Sequence, residues 1–313
     1  MVNTEKGITV LSLCDGISVA QLALKQLGIK VDKYYSVEID PNPIKITQHH
    51  FPNTVQLGDI KKINAHELPK VDLVVSGPSC QNLSIMNSER LGLAGSKSSI
   101  FYDAVKILNI VRQKNSDCLF LFENVQMPKK DKQIFIDLLG EEPLAINSGL
   151  LGSTLRNRLY FTNIKNIEVP KPKNIYLNDI IENGCLPPNT KGKCVLTKTL
   201  SYTIAGLRRH LIRSIGNVVY LDEVFCNLSK SDKLIQLDQL TDNQIVKELF
   251  RPMTIRELCI MQTLPKNYVS TNIISKTASI KALGNCFTLD AVKFILSHAD
   301  FKQKNNYEYN TRY

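Results

Sequence analysis

Cys80 lies in the stretch SGPSCQNLS, just past the apolar run Val71-Asp72-Leu73-Val74-Val75 and a turn through Gly77 and Pro78. A thiol at the tip of a strand can serve as a nucleophile. Free cysteine is also a common small buried hydrophobe, and the stretch alone leaves both readings open. Asp15-Gly16 follows the apolar run from Ile8 to Leu13, and a glycine there lets backbone approach a ligand closely. Glu38 comes 22 residues after Gly16. At a strand end an acidic side chain can take both hydroxyls of a ribose, or simply stand as an exposed charge. Asp59, in LGDI, can accept from an adenine amino group. Together these residues describe a crevice for a nucleoside-containing cofactor, without the GxGxxG that a dinucleotide would want. Arg156 and Arg158 alternate, which predicts that they share one face of a strand leading into Leu159-Tyr160-Phe161; a plain surface pair is the alternative.

The elements that must position these residues alternate between strand and helix. Ile8 to Leu13 reads as a strand, Val19 to Leu27 as a helix stopped by Gly28, and Tyr34 to Ile39 as the next strand. Asp40-Pro41-Asn42-Pro43 opens a helix from Ile44 to His50. Strands over Thr54 to Leu57, Val71 to Ser76 and Cys118 to Glu123 follow, with a helix over Ser99 to Lys114 before the last. Such alternation predicts an α/β fold with a parallel sheet and crossover helices. Ligands of such sheets bind beyond the carboxyl ends of the strands, and Asp15, Glu38, Asp59, Cys80 and Glu123 all fall there. From about Asn163 the rhythm breaks. EVPKPKN reads as a linker and PPNTKGK as a turn-rich loop. VLTKTLSYTIAGLRRHL and GNVVYLDEV have hairpin character, and ALGNCFTLDAVKFILSHA reads as a Gly-Asn turn followed by an amphipathic helix. These segments predict a second, smaller domain.

The chain has 313 residues, enough for two domains or one large one. No apolar run approaches the roughly 20 residues of a membrane span, and the first residues lack a signal-peptide pattern, so no membrane partner and a cytoplasmic setting are expected. Eight scattered cysteines without a CxxC, and five histidines without ligand spacing, argue against a disulfide framework and against a metal site. The net charge of +10 favours a polyanion partner. From Lys165 to Arg213 the basic residues Lys165, Lys171, Lys173, Lys191, Lys193, Lys198, Arg208, Arg209 and Arg213 face only Glu168, Asp179 and Glu182. Such a patch marks either a phosphate-contacting face or a solvated surface.

SGPSCQNLS, FENV at 122–125, LRNRLYF at 155–161, RPMTIRE at 251–257 and ALGNCFT at 282–288 occur in that order. They resemble the successive signature motifs of the cytosine-C5 DNA methyltransferases, most closely the bacterial and phage type with some likeness to the vertebrate de novo enzymes. The resemblance runs from ITVLSLCDGI to the final helix. It implies a Rossmann-like S-adenosylmethionine-dependent methyltransferase sheet with a second, smaller target-recognition domain. On that basis 1–170 would be the catalytic domain, 171–275 the target-recognition domain, and 276–313 a segment returning to the catalytic domain.

The resemblance implies a chemistry. Cys80 would add to C6 of cytosine and make C5 nucleophilic. Glu123 would stabilise charge at N3, and Arg156 and Arg158 would support the base, Cys80 and Glu123. S-adenosyl-L-methionine would lie against Cys14, Asp15, Gly16, Ile17, Glu38, Ile39, Asp59, Ile60, Gly77, Pro78, Asn285 and Cys286. Double-stranded DNA would be the partner, its target base flipped out of the stack. DNA contacts would come from Gln81, Ser84 and Lys97 in a loop pivoting on Gly92 and Gly95, and from Lys198, Thr199, Thr203, Arg208 and Arg209. A monomer in a bacterial or phage-infected cell, near the nucleoid, with or without a cognate restriction endonuclease, completes what the resemblance implies. A catalytically impaired DNA-binding homologue and a tRNA-cytosine methyltransferase are the rival readings.

The chain departs from the family at several positions. Proline usually precedes the cysteine directly, and here the order is Pro78-Ser79-Cys80. That relaxes residue 79 and restricts Gly77 instead. Cys14 stands in place of a phenylalanine, Thr154 in place of a glutamine, Thr263 in place of a glycine, and Cys286 in place of a smaller residue.

Overall fold

A computed structural model describes residues 6–78, 99–198, 201–241 and 243–301. In chain order the strands are β1 Ile8–Leu13, β2 Val31–Val37, β3 Val55–Gln56, β4 Leu73–Ser76, β5 Leu119–Val125 and β6 Leu144–Asn147. They continue with β7 Thr154–Leu155, β8 Asn157–Thr162, β9 Gly192–Lys193, β10 Val218–Tyr220 and β11 Phe250–Pro252. The helices are α1 Val19–Gln26, α2 Pro41–His50, α3 Ser99–Lys114, α4 Lys129–Leu139, α5 Ile204–Arg213 and α6 Glu223–Asn227. After them come α7 Lys230–Asp238, α8 Asn243–Leu249, α9 Ile255–Met261, α10 Lys276–Asn285 and α11 Leu289–Leu296.

The described chain divides into two compact units. The first comprises the residues up to Ile146, Asn157–Pro170, and the chain from Leu289 on; the second comprises Asn147–Arg156 and Lys171–Thr288. The chain therefore re-enters the first unit at Leu289, later than the 276 read from the sequence.

In the first unit a seven-stranded sheet has the order β3-β2-β1-β4-β5-β8-β6. Strands β3, β2, β1, β4 and β5 pair in parallel, whereas β8 lies antiparallel to β5. The sheet is thus mixed, and the purely parallel sheet expected from the alternation is corrected at this edge. Apolar strands buried along their length, such as β1 and β4, account for the continuous hydrophobic runs seen in the sequence. Phe101 of α3 stacks on Phe135 of α4 with ring centroids 3.7 Å apart, and Phe135 meets Phe161 of β8 at 5.2 Å.

Helix boundaries follow local chemistry. β2 begins at Val31 and ends at Val37, so Glu38 stands just beyond it. α2 starts at Pro41 rather than Ile44, because Asp40 caps it by accepting from the Asn42 N–H and proline suits the first turn. α1 packs against α11, and Lys293 donates to Gln26 Oε1 at 3.0 Å.

In the second unit, β7 pairs in parallel with β9, and β10 antiparallel with β11. The hairpin character read over 195–211 gives way, from Ile204 on, to the helix α5. Its Thr203 oxygen accepts from the Gly206 N–H, which fixes the helix start. Gly284-Asn285 forms the last turn of α10, not a turn opening a helix. Glu257 is fully buried and accepts from both Arg251 Nη1 and Nη2, at 2.8 and 2.7 Å, and from the N–H groups of Thr254 and Glu182.

Candidate active site

The strand order reverses between β1 and β4, so the crevice beyond their carboxyl ends is the switch point of the sheet. The β1–α1 turn leaves this point through three left-handed residues, Cys14, Gly16 and Ser18, at φ of 56°, 60° and 54°. Such conformations are costly for residues other than glycine and persist where the surroundings over-determine them. Here the buried Asp15 supplies the determination. Its carboxylate accepts from Tyr34 Oη at 2.8 Å, from Ser36 Oγ at 2.9 Å, and from Ser18 Oγ. Burial pushes the Asp15 carboxyl up, and the hydroxyls of Ser12, Ser18, Tyr34 and Ser36 oppose that shift. Asp15 thus faces inward and fixes the turn. Ser18, Tyr34 and Ser36 were not singled out from the sequence. The alternation of Tyr34 and Ser36 along β2 was the available signal.

Around this turn the groups fit a nucleoside. Glu38 is held by three backbone donors, with Oε2 accepting from Gly16 N at 3.0 Å and Oε1 from Ile39 and Asp40 N at 2.8 and 2.9 Å. A carboxylate offers about four lone-pair sites, so acceptor capacity remains for hydroxyls. Ile39 beside it is 71% exposed, an apolar surface at the crevice. A Cβ placed on Gly16 would meet nothing within 4 Å, so the backbone there borders open space. The Cys14 thiol is pushed up to about 12, by burial first and then by Glu38 and Asp15. It therefore stays protonated and neutral. Asp59 caps a short 3-10 turn, accepting from Lys61 N at 3.0 Å, and Ile60 is buried. Gly77 donates to the Leu13 carbonyl at 3.3 Å, tying the end of β4 to that of β1, and Pro78 is buried. These residues fit an S-adenosyl group.

Glu123 and Arg158 meet through sheet register. Glu123 lies opposite Tyr160 and Val125 opposite Arg158 across the antiparallel β5–β8 pair. Glu123 and Arg158 are therefore diagonal neighbours on one face. Arg158 Nε stands 2.9 Å from Glu123 Oε1, with both side chains largely buried at 14% and 11% exposed.

Arg156 takes another path. It lies between β7 and β8, in the second unit, so the two arginines do not share one strand face as their alternation predicted. The chain leaves one pairing partner and joins another at this residue, which breaks the period of two. Arg156 is buried, donates from Nη2 to the Cys286 carbonyl at 3.0 Å, and donates its N–H to Asn147 Oδ1 at 3.1 Å. Asn285 and Cys286 belong to this second unit as well. Lys191, unremarked beyond its charge, donates to the carbonyls of Gly149, Gly152 and Ile175 and so shapes the loop leading to Arg156.

Among the basic candidates, Lys198, Arg209 and Arg213 are exposed, Arg208 pairs with Asp238, and Thr203 is engaged in its cap. Ser79, Cys80, Gln81, Ser84, Lys97 and Thr199, with the pivots Gly92 and Gly95, lie outside the described residues.

The family pattern for C-5 cytosine-specific DNA methylases matches residues 8–139, spanning every strand end just described up to β5 and α4. That stretch of the chain is similar to the cytosine-C5 DNA methylases. The chain is similar over 91% of its length, at 24% identity, to the type II methyltransferase M.FnuDI of Fusobacterium nucleatum, covering 92% of that protein. A stretch of 122 residues, 34% of the chain, is 36% identical to the Arabidopsis thaliana DNA (cytosine-5)-methyltransferase DRM1, of which it covers 20%. The chain spans between 20% and 50% of the length of DRM1 and three further curated relatives that it matches. In fold it is similar to the S. pombe Dnmt2 methyltransferase, with a TM-score of 0.64 at 18% identity, covering 94% of this chain and all of that one. The mixed sheet with its flanking helices is a Rossmann-like α/β fold of the methyltransferase type.

Proposed function

We propose that this chain is a DNA (cytosine-5-)-methyltransferase acting on a flipped cytosine in duplex DNA, with S-adenosylmethionine as its cofactor. The observation that carries the reading is the largely buried Glu123–Arg158 pair on the β5–β8 ladder. It sits on the neighbour of β4, the strand from whose end SGPSC departs.

Each residue has a role. The Cys80 thiolate adds to C6, the C5–C6 double bond opens, and electron density moves to C5 and N3. Glu123 holds the N3 edge of the base, and Arg158 keeps that carboxyl in place through its guanidinium. Glu38 and the Gly16 backbone hold the nucleoside part of the cofactor, with Ile39 packing against it. When bound, S-adenosylmethionine supplies the methyl group that C5 takes up. Loss of the C5 proton then restores the double bond and releases Cys80. The second unit would read the target, with Lys198, Arg209 and Arg213 giving phosphate contacts that set register and not sequence.

The test is transfer of labelled methyl from S-adenosylmethionine to mixed-sequence duplex DNA, with tRNA as a parallel substrate and Cys80→Ala as control. Label in DNA that depends on Cys80 supports the reading. DNA binding without any label points to an accessory homologue, and label in tRNA alone points to an RNA enzyme; either result overturns it. Bisulfite sequencing of DNA from cells expressing the protein then gives the target site.

A further inference from the structure

Two cysteines far apart in sequence converge in the second unit. Gly184 adopts φ of 89°, and a Cβ there would lie 2.4 Å from the Tyr220 carbonyl oxygen, so the chain presses against β10 at this point. Cys185 and Tyr220 then exchange backbone hydrogen bonds of 2.8 and 3.1 Å. Asp222 caps α6 by accepting from the Phe225 N–H at 2.6 Å, and its carbonyl accepts from the Cys226 N–H at 2.9 Å. The Cys185 thiol reaches the same Asp222 carbonyl at 3.8 Å and the Tyr220 carbonyl at 3.7 Å. The Cys185 thiol and the Cys226 N–H thus converge on one carbonyl oxygen, that of Asp222. Cys185 is half-buried, whereas Cys226 is 2% exposed.

A cation lies close to both sulfurs. The buried Lys233 ammonium donates to the Cys226 and Leu228 carbonyls at 2.8 and 2.6 Å and lies 5.0 Å from the Tyr220 ring centroid. It interacts electrostatically with both sulfurs, and its charge opposes the upward shift of the Cys226 thiol. Burial, followed by the neighbouring Cys185, pushes the Cys226 thiol up to about 12, with Glu223 adding a smaller share. The partly exposed Cys185 is therefore placed to meet a solute first and Cys226 to resolve the product.

We infer that Cys185 and Cys226 form a dithiol that peroxide-class oxidants convert into an intramolecular disulfide, a modification site in the second unit. The steps balance. The Cys185 thiolate attacks one oxygen of hydrogen peroxide, the O–O bond breaks, and hydroxide leaves to give a sulfenic acid. Cys226 gives up its proton and attacks that sulfur; the S–S bond forms, the S–O bond breaks, and water leaves. Two thiols lose two electrons and two protons, and the peroxide becomes two waters. The resulting bond closes the segment 185–226, which contains the whole of α5.

Peptide mapping under non-reducing conditions tests this on the full chain, treated with hydrogen peroxide and then alkylated after unfolding. The expected product is a peptide pair joined at Cys185 and Cys226. It should revert with dithiothreitol, be absent from Cys185→Ser and Cys226→Ala, and melt at a higher temperature than the reduced protein. In Cys185→Ser, a change at a partly exposed position, Cys226 should stay alkylatable after peroxide, which keeps the test open if Cys226→Ala does not fold. Conversion of Cys185 to sulfinic acid with Cys226 still alkylatable would overturn the inference. So would a dominant link from Cys185 to any other cysteine.

Discussion

Replacing Glu257 by alanine should disrupt the second unit more than any surface change. The carboxylate has no exposed area, accepts four hydrogen bonds, and neutralises Arg251, whose side chain is 12% exposed. Without it, the guanidinium keeps only Asn183 and the Pro252 carbonyl among these partners, and the N–H groups of Glu182 and Thr254 lose their acceptor. Breaking a buried ion pair from one side costs about 3–5 kcal/mol. The Thr254 hydroxyl still caps the residue-257 N–H, but the Thr254 N–H loses its carboxylate acceptor, which adds about 1 kcal/mol. The sum, ~4–6 kcal/mol, rivals the ~5–15 kcal/mol that holds a whole domain. Hydrogen exchange under increasing urea, followed at peptides covering 250–262, should show this region opening globally in the variant. Arg251→Met combined with Glu257→Leu should be much milder than the two single losses added, because neither charge is then stranded. Burial raises the Glu257 carboxyl, but Arg251 and the two backbone donors more than reverse it, leaving it below the usual carboxylate range. Its contribution is therefore present above the unfolded pKa of about 4.3 and is lost as pH falls through the lower folded value. A change of less than about 0.5 kcal/mol for Glu257→Ala, the size of an ordinary surface substitution, would refute this reasoning. So would a double variant as damaged as the sum.

Three other outcomes are expected. Cys80→Ala should abolish methyl transfer, while exchanging Pro78 and Ser79, as Pro78→Ser with Ser79→Pro, should retain or raise it; a dead swap in an active parent means this loop has its own geometry. Arg158→Ala should lower kcat by on the order of 100-fold with a smaller effect on the KM for DNA, and Arg158→Lys should recover only part, since the bond to Glu123 comes from a fixed guanidinium; steady-state kinetics showing a KM effect alone would contradict it. Thr263→Gly should raise stability by up to ~1 kcal/mol, because a β-branched residue at φ of 56° carries ~1–2 kcal/mol of strain that glycine relieves at some entropic cost; denaturation midpoints check this.

Much of the crevice beyond β1, β2 and β4 was legible because its signals are local. Apolar runs of strand length end in Asp15-Gly16, Glu38 and Gly77-Pro78, and the fold places all of them past strand ends near one reversal of strand order. The inward role of Asp15 was not legible, since it depends on hydroxyls from β2 brought alongside by sheet pairing. The separation of Arg156 from Arg158 was also hidden. Alternation assumes one continuous strand, and the chain changes partners at residue 156. Residues 195–211 looked like a hairpin because Val195, Thr199, Tyr202 and Thr203 favour strands. Thr203 is nevertheless a cap, and Leu207 and Leu211 give α5 its buried side. The Thr263 substitution became intelligible only through its left-handed backbone, where glycine would be at ease.

The packing of α1 on α11 sets a clock on synthesis. Val19, Leu22 and Ala23 leave the ribosome long before Leu289, Val292 and Ile295, the helix they pack against. At about 5–20 residues per second, the apolar side of α1 waits on the order of 15–55 s for that partner. During that interval the nascent sheet carries an uncovered apolar flank. Slow codons ahead of residue 289 would lengthen the exposure, and stop codons there would make it permanent.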